Sequence, residues 1–247
     1  MQRENGLIVY YPGGDGGAVE SERATLQYNT IQTPKGGEYA VVLPDGSKVW
    51  LNALSSLRFP ARFGDRERRV EVTGEAYFEI ARVKNADGGN LPFFVAFKTA
   101  SGKDAAIEVL GTRFNLNAYP DEQAVKATLI EGSVRIGMDG TLQTLKPGQQ
   151  SSINANDVMT VVDGVDLFEA IAWKNGFFHF ENADLKTVMR QLQRWYDVEV
   201  VFEGALNDTE TFSGEIGRDL ELSQVVKLLR QMDLNIRIEN RKMMVSP

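Results

Sequence analysis

The spacing of the apolar residues changes once along this chain, and the change limits the folds open to it. From about residue 39 to residue 162, apolar and polar residues alternate with a period of two, interrupted by turn residues, as they do in β-strands. After about residue 165, the apolar residues recur with the 3-4-3 spacing of an amphipathic helix. The sequence therefore predicts a β-rich first part and a mixed α and β second part.

The clearest strand of the first part is predicted from Val70 to Ala81. Its apolar side chains fall on one face, whereas Glu71, Glu75 and Glu79 fall on the other, which is typical of a sheet with one solvated face. Gly74 interrupts the run and indicates a bulge.

Turn signals are frequent in the same part. Asp45-Gly46 lies between two apolar runs and predicts a tight hairpin. The apolar positions change from odd to even across Gly111, which predicts a second bulge. Many short strands separated by glycine turns indicate a mainly β domain: a sandwich, a barrel or an irregular β-solenoid.

The second part contains two similar stretches, 37 residues apart. The apolar stripes of the two predicted helices consist of Leu185, Val188, Leu192 and Trp195, and of Leu222, Val225, Leu229 and Met232. A predicted strand precedes and follows each helix, so we expect two βαβ units on one sheet, forming a small α+β domain. The expected domains are residues 1–166, of which 1–27 form a loop or partial element, and residues 167–247.

Acidic and amide residues precede both predicted helices. Asn182 or Asp184 is expected to cap the first helix, and Asp219 the second. Arg194 and Arg230 come near the two C-terminal ends, where a positive charge complements the helix dipole.

Composition excludes most kinds of catalytic site. The chain has no cysteine and one histidine, which excludes disulfides, thiolate nucleophiles, cysteine zinc sites and sites that need two imidazoles. Its net charge of −7 argues against broad nucleic-acid binding. No apolar run approaches the length of about 20 residues that a membrane span needs, and no signal peptide is recognisable. We expect no enzyme activity, no cofactor and no metal.

Three motifs that could suggest chemistry have simpler interpretations. His179 alternates with two phenylalanines in a predicted strand, which favours a structural or surface role. The run Gly13–Gly17 lacks the lysine and the following helix of a phosphate loop, so a mobile loop is expected. The run Asp208–Glu210 lacks the other ligands of a calcium loop.

The charged and aromatic clusters are interpreted in the same way. The basic cluster of Arg62, Arg66, Arg68 and Arg69 is interleaved with acidic residues, which predicts a charged loop at a strand entrance. The three tryptophans are expected in cores or interfaces, and Trp195 in a helix core. They are Trp50, Trp173 and Trp195.

Six motifs occur in a fixed order along the first part. They are Thr33–Tyr39, Leu43–Ala53, Gly74–Ile80, Val109–Asn115, Glu131–Val134 and Leu145–Gln150. Together they resemble the FecR family of transmembrane anti-sigma factors, over roughly residues 28–160. The second part, with Trp195–Val198 and Phe212–Gly214, is similar to the C-terminal domain that often follows FecR in Gram-negative bacteria, itself similar to the short secretin and TonB signalling domain.

The resemblance implies a role in signal relay. In such systems an outer-membrane TonB-dependent transporter passes its occupancy to the periplasmic part of a single-pass inner-membrane protein, which controls an extracytoplasmic-function sigma factor. This sequence has no membrane helix and no cytoplasmic sigma-binding segment, so it would be the periplasmic receiver, with the helix expected upstream of Met1. The glycines of the motifs are expected to serve turns and bulges.

A partner-binding site and two rival functions complete the expectations. The receiver is expected to bind the transporter's signalling domain by strand addition at an exposed edge formed by Lys242, Met243, Met244 and Val245. One rival is a periplasmic protein that binds carbohydrate or another ligand. The other is a hydrolase that uses the carboxylates of Glu71, Glu75 and Glu79.

Overall fold

The computed structural model describes residues 2–4, 7–9, 27–204, 210–232 and 234–246. The chain divides into two units, one of residues 1–33 and 38–167 and the other of residues 34–37 and 168–247. The predicted loop at Gly13–Gly17 lies outside the described residues. None of the described helices has the length and apolarity needed to cross a bilayer.

Strands make up most of the described residues of the first unit. In chain order they are β1 (Gln2–Glu4), β2 (Leu7–Val9), β3 (Tyr28–Gln32), β4 (Tyr39–Val42), β5 (Lys48–Leu51), β6 (Ser56–Pro60), β7 (Arg68–Glu79), β8 (Phe93–Lys98), β9 (Asp104–Val109), β10 (Arg113–Ala118), β11 (Ala124–Glu131), β12 (Val134–Met138), β13 (Thr141–Leu145), β14 (Gln150–Asn154) and β15 (Met159–Val162).

These strands form two layers that share β7. One layer has the order β1-β2-β4-β5-β7-β10-β11-β14-β15, and the other β3-β6-β7-β8-β9-β12-β13. Alternation along the strands fills the space between the layers: in β8, Phe93, Val95 and Phe97 are buried, whereas Phe94 and Ala96 are partly exposed. The prediction of a mainly β first part is confirmed.

The strand β7 crosses from one layer to the other at Gly74. Before this point β7 pairs with β6 and β8, and after it with β5 and β10. Gly74 has φ 84°, and a Cβ atom there would lie 2.8 Å from Cα of Ser55. Gly74 therefore marks a change of layer and not the predicted bulge, and this crossing needs a residue without a side chain.

The bulge predicted at Gly111 is wrong. The strand β9 ends at Val109 in one layer, and β10 begins at Arg113 in the other. Gly111 lies in the connection between them. The apolar positions change parity because the chain enters a different layer, whose core lies on the opposite side of the strand.

The second unit and the segment leading into it alternate strands and helices. The elements are α1 (Leu167–Ile171), a 3-10 helix (Ala172–Asn175), β16 (Phe177–Asp184), α2 (Leu185–Tyr196), β17 (Glu199–Phe202), β18 (Thr211–Gly217), α3 (Leu222–Arg230), β19 (Asn235–Glu239) and β20 (Lys242–Ser246). The predicted order of strand, helix and strand, repeated once, is confirmed.

The expectation that both repeats lie on one sheet is wrong. The two strands that precede the helices, β16 and β18, pair with each other in an antiparallel ribbon. The strands that follow the helices lie in a separate sheet with the order β17-β20-β19. The two strands that precede the helices are therefore neighbours in the ribbon. The two strands that follow the helices, β17 and β19, flank β20 on its two sides.

Side chains define the starts of both helices. Asp184 Oδ1 accepts a hydrogen bond from the N–H of Thr187 at 2.6 Å, as an N-cap does. The helix α3 begins after Glu221, whose N–H donates to Gln224 Oε1 at 2.9 Å. The cap predicted at Asp184 is confirmed, whereas Asp219 is wrong because α3 begins only at Leu222.

Candidate partner-binding site

The strand expected to offer an exposed edge is the central strand of its sheet. Glu199–Phe202 pairs with Lys242–Val245 in parallel on one side, and Asn235–Glu239 pairs with Lys242–Ser246 on the other. The expectation that Lys242, Met243, Met244 and Val245 form an edge is therefore wrong, because both sides of the strand are already hydrogen-bonded. Among the described residues, the edges of this sheet are β17 and β19.

The hairpin between β19 and β20 fixes which backbone groups of β19 point outward. Asn240 and Arg241 form a two-residue turn with φ values of 49° and 64°, as in a type I′ turn. In such a hairpin the pair that flanks the turn is hydrogen-bonded, and hydrogen-bonded pairs then alternate along the ladder. Glu239 is in a bonded pair, so the N–H and C=O of Ile238 and Ile236 point away from β20.

One of these outward groups is occupied by a side chain. Arg230, at the end of α3, donates from Nε to the carbonyl oxygen of Ile236 at 3.0 Å, and its Nη2 donates to the same oxygen. An edge group that is already bonded is a poorer template for another strand.

At the other edge, β17, a side chain of the preceding helix also caps an outward backbone group. The N–H groups of Glu199 and Glu203 donate to carbonyls of the β20 side, at 2.9 and 2.8 Å, so the backbone groups of Val200 and Phe202 point outward. The N–H of Val200 donates to Gln193 Oε1 of α2 at 3.1 Å.

The two caps occupy equivalent positions in the internal repeat. Gln193 and Arg230 are 37 residues apart, the same spacing that relates the two apolar stripes. Each lies on the helix that precedes the edge strand it caps. The repeat was visible in the sequence, but the capping role depends on the edge that each strand leaves open, which only the sheet order shows.

Charge differs between the two edges. Residues 222–246 contain five Lys or Arg and two Asp or Glu, whereas residues 197–203 contain three acidic residues and no basic one. Exposed ion pairs join the two groups across the sheet: Arg237 with Glu203 at 2.8 Å, Lys242 with Glu199 at 3.4 Å, and Arg241 with Asp197.

The three carboxylates considered for hydrolysis do not share an environment. Glu71 is exposed and forms an ion pair with Arg58. Glu75 is only 8% exposed, and its two oxygens accept hydrogen bonds from Asn52 Nδ2 at 2.8 Å and Asn115 Nδ2 at 2.9 Å. The expectation of one solvated carboxylate face is wrong, because Glu75 follows the layer change at Gly74 and is buried in a polar network.

The predicted basic cluster is divided in the same way. Arg62, Arg66 and Arg69 are exposed, and Arg69 pairs with Glu67 at 2.8 Å. Arg68 is fully buried, which contradicts its assignment to a charged loop. Its position has the parity of the apolar residues of β7, and this is the signal that the sequence offered.

His179 and the tryptophans lie in structural surroundings. His179 is partly buried, with Nδ1 3.3 Å from Glu215 Oε1, and its ring meets Phe168 edge-on. Trp195 packs against the hydrophobic core of the second unit, and its Nε1 donates to the carbonyl of Arg218 at 3.0 Å. Trp50 meets the ring of Tyr77 edge-on.

Two grooves of about 490 and 360 Å³ adjoin Arg82 on the first unit. The stem of Arg82 lies over Gly111, where a Cβ atom would clash with Arg82 Cγ. The residues lining both grooves include charged and small side chains and no aromatic ring. Within the described part of the chain, no three His, Asp or Glu side chains are placed to hold a metal ion.

Family models match both parts of the chain. The model of the FecR protein family matches residues 29–135, and the model of the FecR C-terminal region matches residues 177–245. No curated protein sequence gives a significant match.

Solved structures with the same fold include two of a candidate anti-sigma factor from Parabacteroides distasonis ATCC 8503. One is 27% identical in sequence, with a TM-score of 0.77, and the match covers 88% of this chain and 98% of that one. The other is 26% identical, with a TM-score of 0.77, and the match covers 89% of this chain and 99% of that one.

Proposed function

This chain belongs to the FecR family, and from that premise we propose that it is the signal-receiving part of an anti-sigma factor. The observation that carries the proposal is the match to a solved candidate anti-sigma factor over nearly the whole of both chains. In this proposal, residues 1–166 form the FecR-like β domain, and residues 167–247 form a module like the short secretin and TonB domain.

The proposed signal is the occupancy of an outer-membrane TonB-dependent transporter. The receiver lies in the periplasm and binds the transporter's signalling domain, and a membrane helix and a cytoplasmic segment outside this sequence pass the signal to an extracytoplasmic-function sigma factor. The two strand edges of the second unit support a binding role, since small sheets can extend one another through backbone hydrogen bonds. No catalytic step is part of this role.

Binding to the transporter tests the proposal directly. The chain is titrated by calorimetry with the purified signalling domain of the TonB-dependent transporter encoded beside its gene. We expect saturable binding with a stoichiometry of one to one. A matched control is the signalling domain of a transporter from an unrelated locus, which should bind more weakly. Absence of saturable binding to the neighbouring transporter would contradict the proposed partner.

A cellular experiment tests the relay. Deletion of the gene should change transcription from the promoters of the partner sigma factor and abolish the response to the transporter's substrate. An unchanged response would overturn the anti-sigma role. A thermal-shift screen with glycans separates the rival function, because a ligand that binds the native chain raises its melting temperature without a protein partner.

A further inference from the structure

We propose that the outer edge of β19 is the docking strand of this chain, and that its occupant is an extended acidic segment of the transporter's signalling domain. The incoming strand pairs with the backbone of Ile236 and Ile238, and its carboxylate receives the guanidinium of Arg230, which leaves the Ile236 carbonyl. This inference rests on the proposed function and specifies the surface that performs it.

The backbone of β19 supplies the template. Ile236 and Ile238 point their N–H and C=O groups away from β20, and Arg230 occupies one of these four groups. The side chain of Ile236 is buried in the core, whereas that of Ile238 is 42% exposed. A strand added beside β19 therefore gains ladder hydrogen bonds and covers an exposed isoleucine.

Charge favours an acidic occupant, and it favours the β19 edge over the β17 edge. The described ion pairs match Arg237, Lys242 and Arg241 with carboxylates, whereas the described partner of Arg230 is a neutral carbonyl. A displaced arginine forms a stronger, charge-assisted bond with a carboxylate. The edge strand β17 lies within the run 197–203, which contains no basic residue, so it offers a carboxylate no cation of its own.

Proline substitution tests the edge without disturbing the existing ladder. Ile238→Pro removes an outward N–H and places the ring where the new strand would lie, which an edge strand tolerates. Phe202→Pro is the matched control, because the N–H of Phe202 points outward from β17. We expect Ile238→Pro to weaken binding of the signalling domain by at least about tenfold, and Phe202→Pro to leave it within about twofold. Circular dichroism and the melting temperature verify folding of both variants.

Hydrogen exchange gives the same test in the unmodified chain. On binding, the amides of Ile236 and Ile238 should become protected, whereas the amide of Phe202 should exchange as in the free chain. This measurement decides the question even where a proline variant fails to fold.

The charge of Arg230 is tested separately. Arg230→Gln should lower affinity several-fold and flatten its dependence on salt, and Arg230→Lys should restore part of both. Equal salt dependence in all three proteins would contradict the acidic occupant.

The outcomes separate this inference from the proposed function. If the unmodified chain does not bind the signalling domain, the proposed function fails. If the unmodified chain binds but Ile238→Pro binds equally well and the β19 amides stay unprotected, the proposed function stands and the β19 edge is overturned. Loss of binding in Phe202→Pro alone, with protection of Phe202, would place the docking strand at β17.

Discussion

Arg68 Nη1 donates a hydrogen bond to Asp45 Oδ2 at 2.6 Å, and the two side chains are only 1% and 6% exposed. The arginine also donates to the carbonyls of Ala81 and Leu91, at 2.9 and 2.8 Å. Asp45 accepts from the N–H and hydroxyl of Ser47 in its own turn. One buried ion pair thus joins the hairpin turn after β4, the start of β7, and both ends of the connection between β7 and β8.

Loss of this arginine should destabilise the first unit strongly. Arg68→Met leaves a buried carboxylate without its cation, so we expect the free energy of unfolding to fall by about 3–5 kcal/mol. Chemical denaturation followed by tryptophan fluorescence measures the change.

The neighbouring arginine provides the control. Arg69→Met breaks an exposed pair with Glu67 and should cost less than about 1 kcal/mol. The double variant Arg68→Met, Asp45→Asn removes both charges and should be more stable than Arg68→Met alone. If Arg68→Met and Arg69→Met lowered the free energy of unfolding equally, the buried pair would contribute no more to stability than the exposed one.

Arg68 also shows what the sequence could and could not predict. Alternation identified the strands, and the 37-residue repeat identified both helices, because each depends on local spacing. The acidic residues that surround Arg68 in sequence favour a charged loop, although the parity of Arg68 matches that of Val70 and Val72. A buried position for Arg68 could be predicted only if its partner Asp45, which lies 23 residues earlier in the chain, were already known.

The order of the strands in the sheet is the second feature that the sequence alone does not predict. The final strand of a chain is easily taken for an edge, but β20 lies between β17 and β19, and order along the sequence does not fix order in a sheet. The caps at Gln193 and Arg230 could be recognised only once the edges were known.

Three glycine variants should differ in a defined order. Gly140→Ala meets only the cost of a positive φ of 80°, since nothing lies within 4 Å of the new Cβ, and should lose about 1–2 kcal/mol. Gly74→Ala adds a clash with the backbone of Ser55 and should lose more. Gly111 has no positive φ, and its Cβ would meet only the side chain of Arg82. Gly111→Ala should therefore be less destabilising than Gly74→Ala. Thermal unfolding should therefore place Gly74→Ala as the least stable, and a milder effect there than at Gly140 would contradict the layer change.

The cap of α2 should give a pH-dependent contribution to stability. Burial raises the pKa of the Asp184 carboxyl, but hydrogen bonds from Thr187 and the charges of Arg190 and Lys186 outweigh it, so the pKa lies below its ordinary value of 3.8. The folded form thus favours the ionised carboxylate, and this stabilisation is present above that value and is lost as the pH falls through the folded pKa. The difference in stability between the native chain and Asp184→Asn should be constant near neutral pH and shrink below about pH 4.

Removal of the cap itself is tested at neutral pH. Asp184→Ala should lower the free energy of unfolding by about 1 kcal/mol, measured by helix circular dichroism in urea. Asp219→Ala, at the position that the sequence wrongly indicated as a cap, should change it by less than about 0.5 kcal/mol. Equal effects of the two variants would contradict the observed start of α3.

Glu75→Gln separates a structural carboxylate from a catalytic one. Each oxygen of Glu75 accepts from an amide nitrogen, of Asn52 or of Asn115. Glutamine replaces one acceptor with an NH₂ group that faces a donor, so we expect a loss of about 1–3 kcal/mol in unfolding free energy. Glu71→Gln is the control on the same strand, where an exposed pair with Arg58 should contribute less than about 1 kcal/mol. A hydrolase role would require a hydrolytic activity that Glu75→Gln abolishes while the fold keeps its stability. Destabilisation without any such activity assigns the carboxylate to the polar network that follows the crossing of β7 between its two layers.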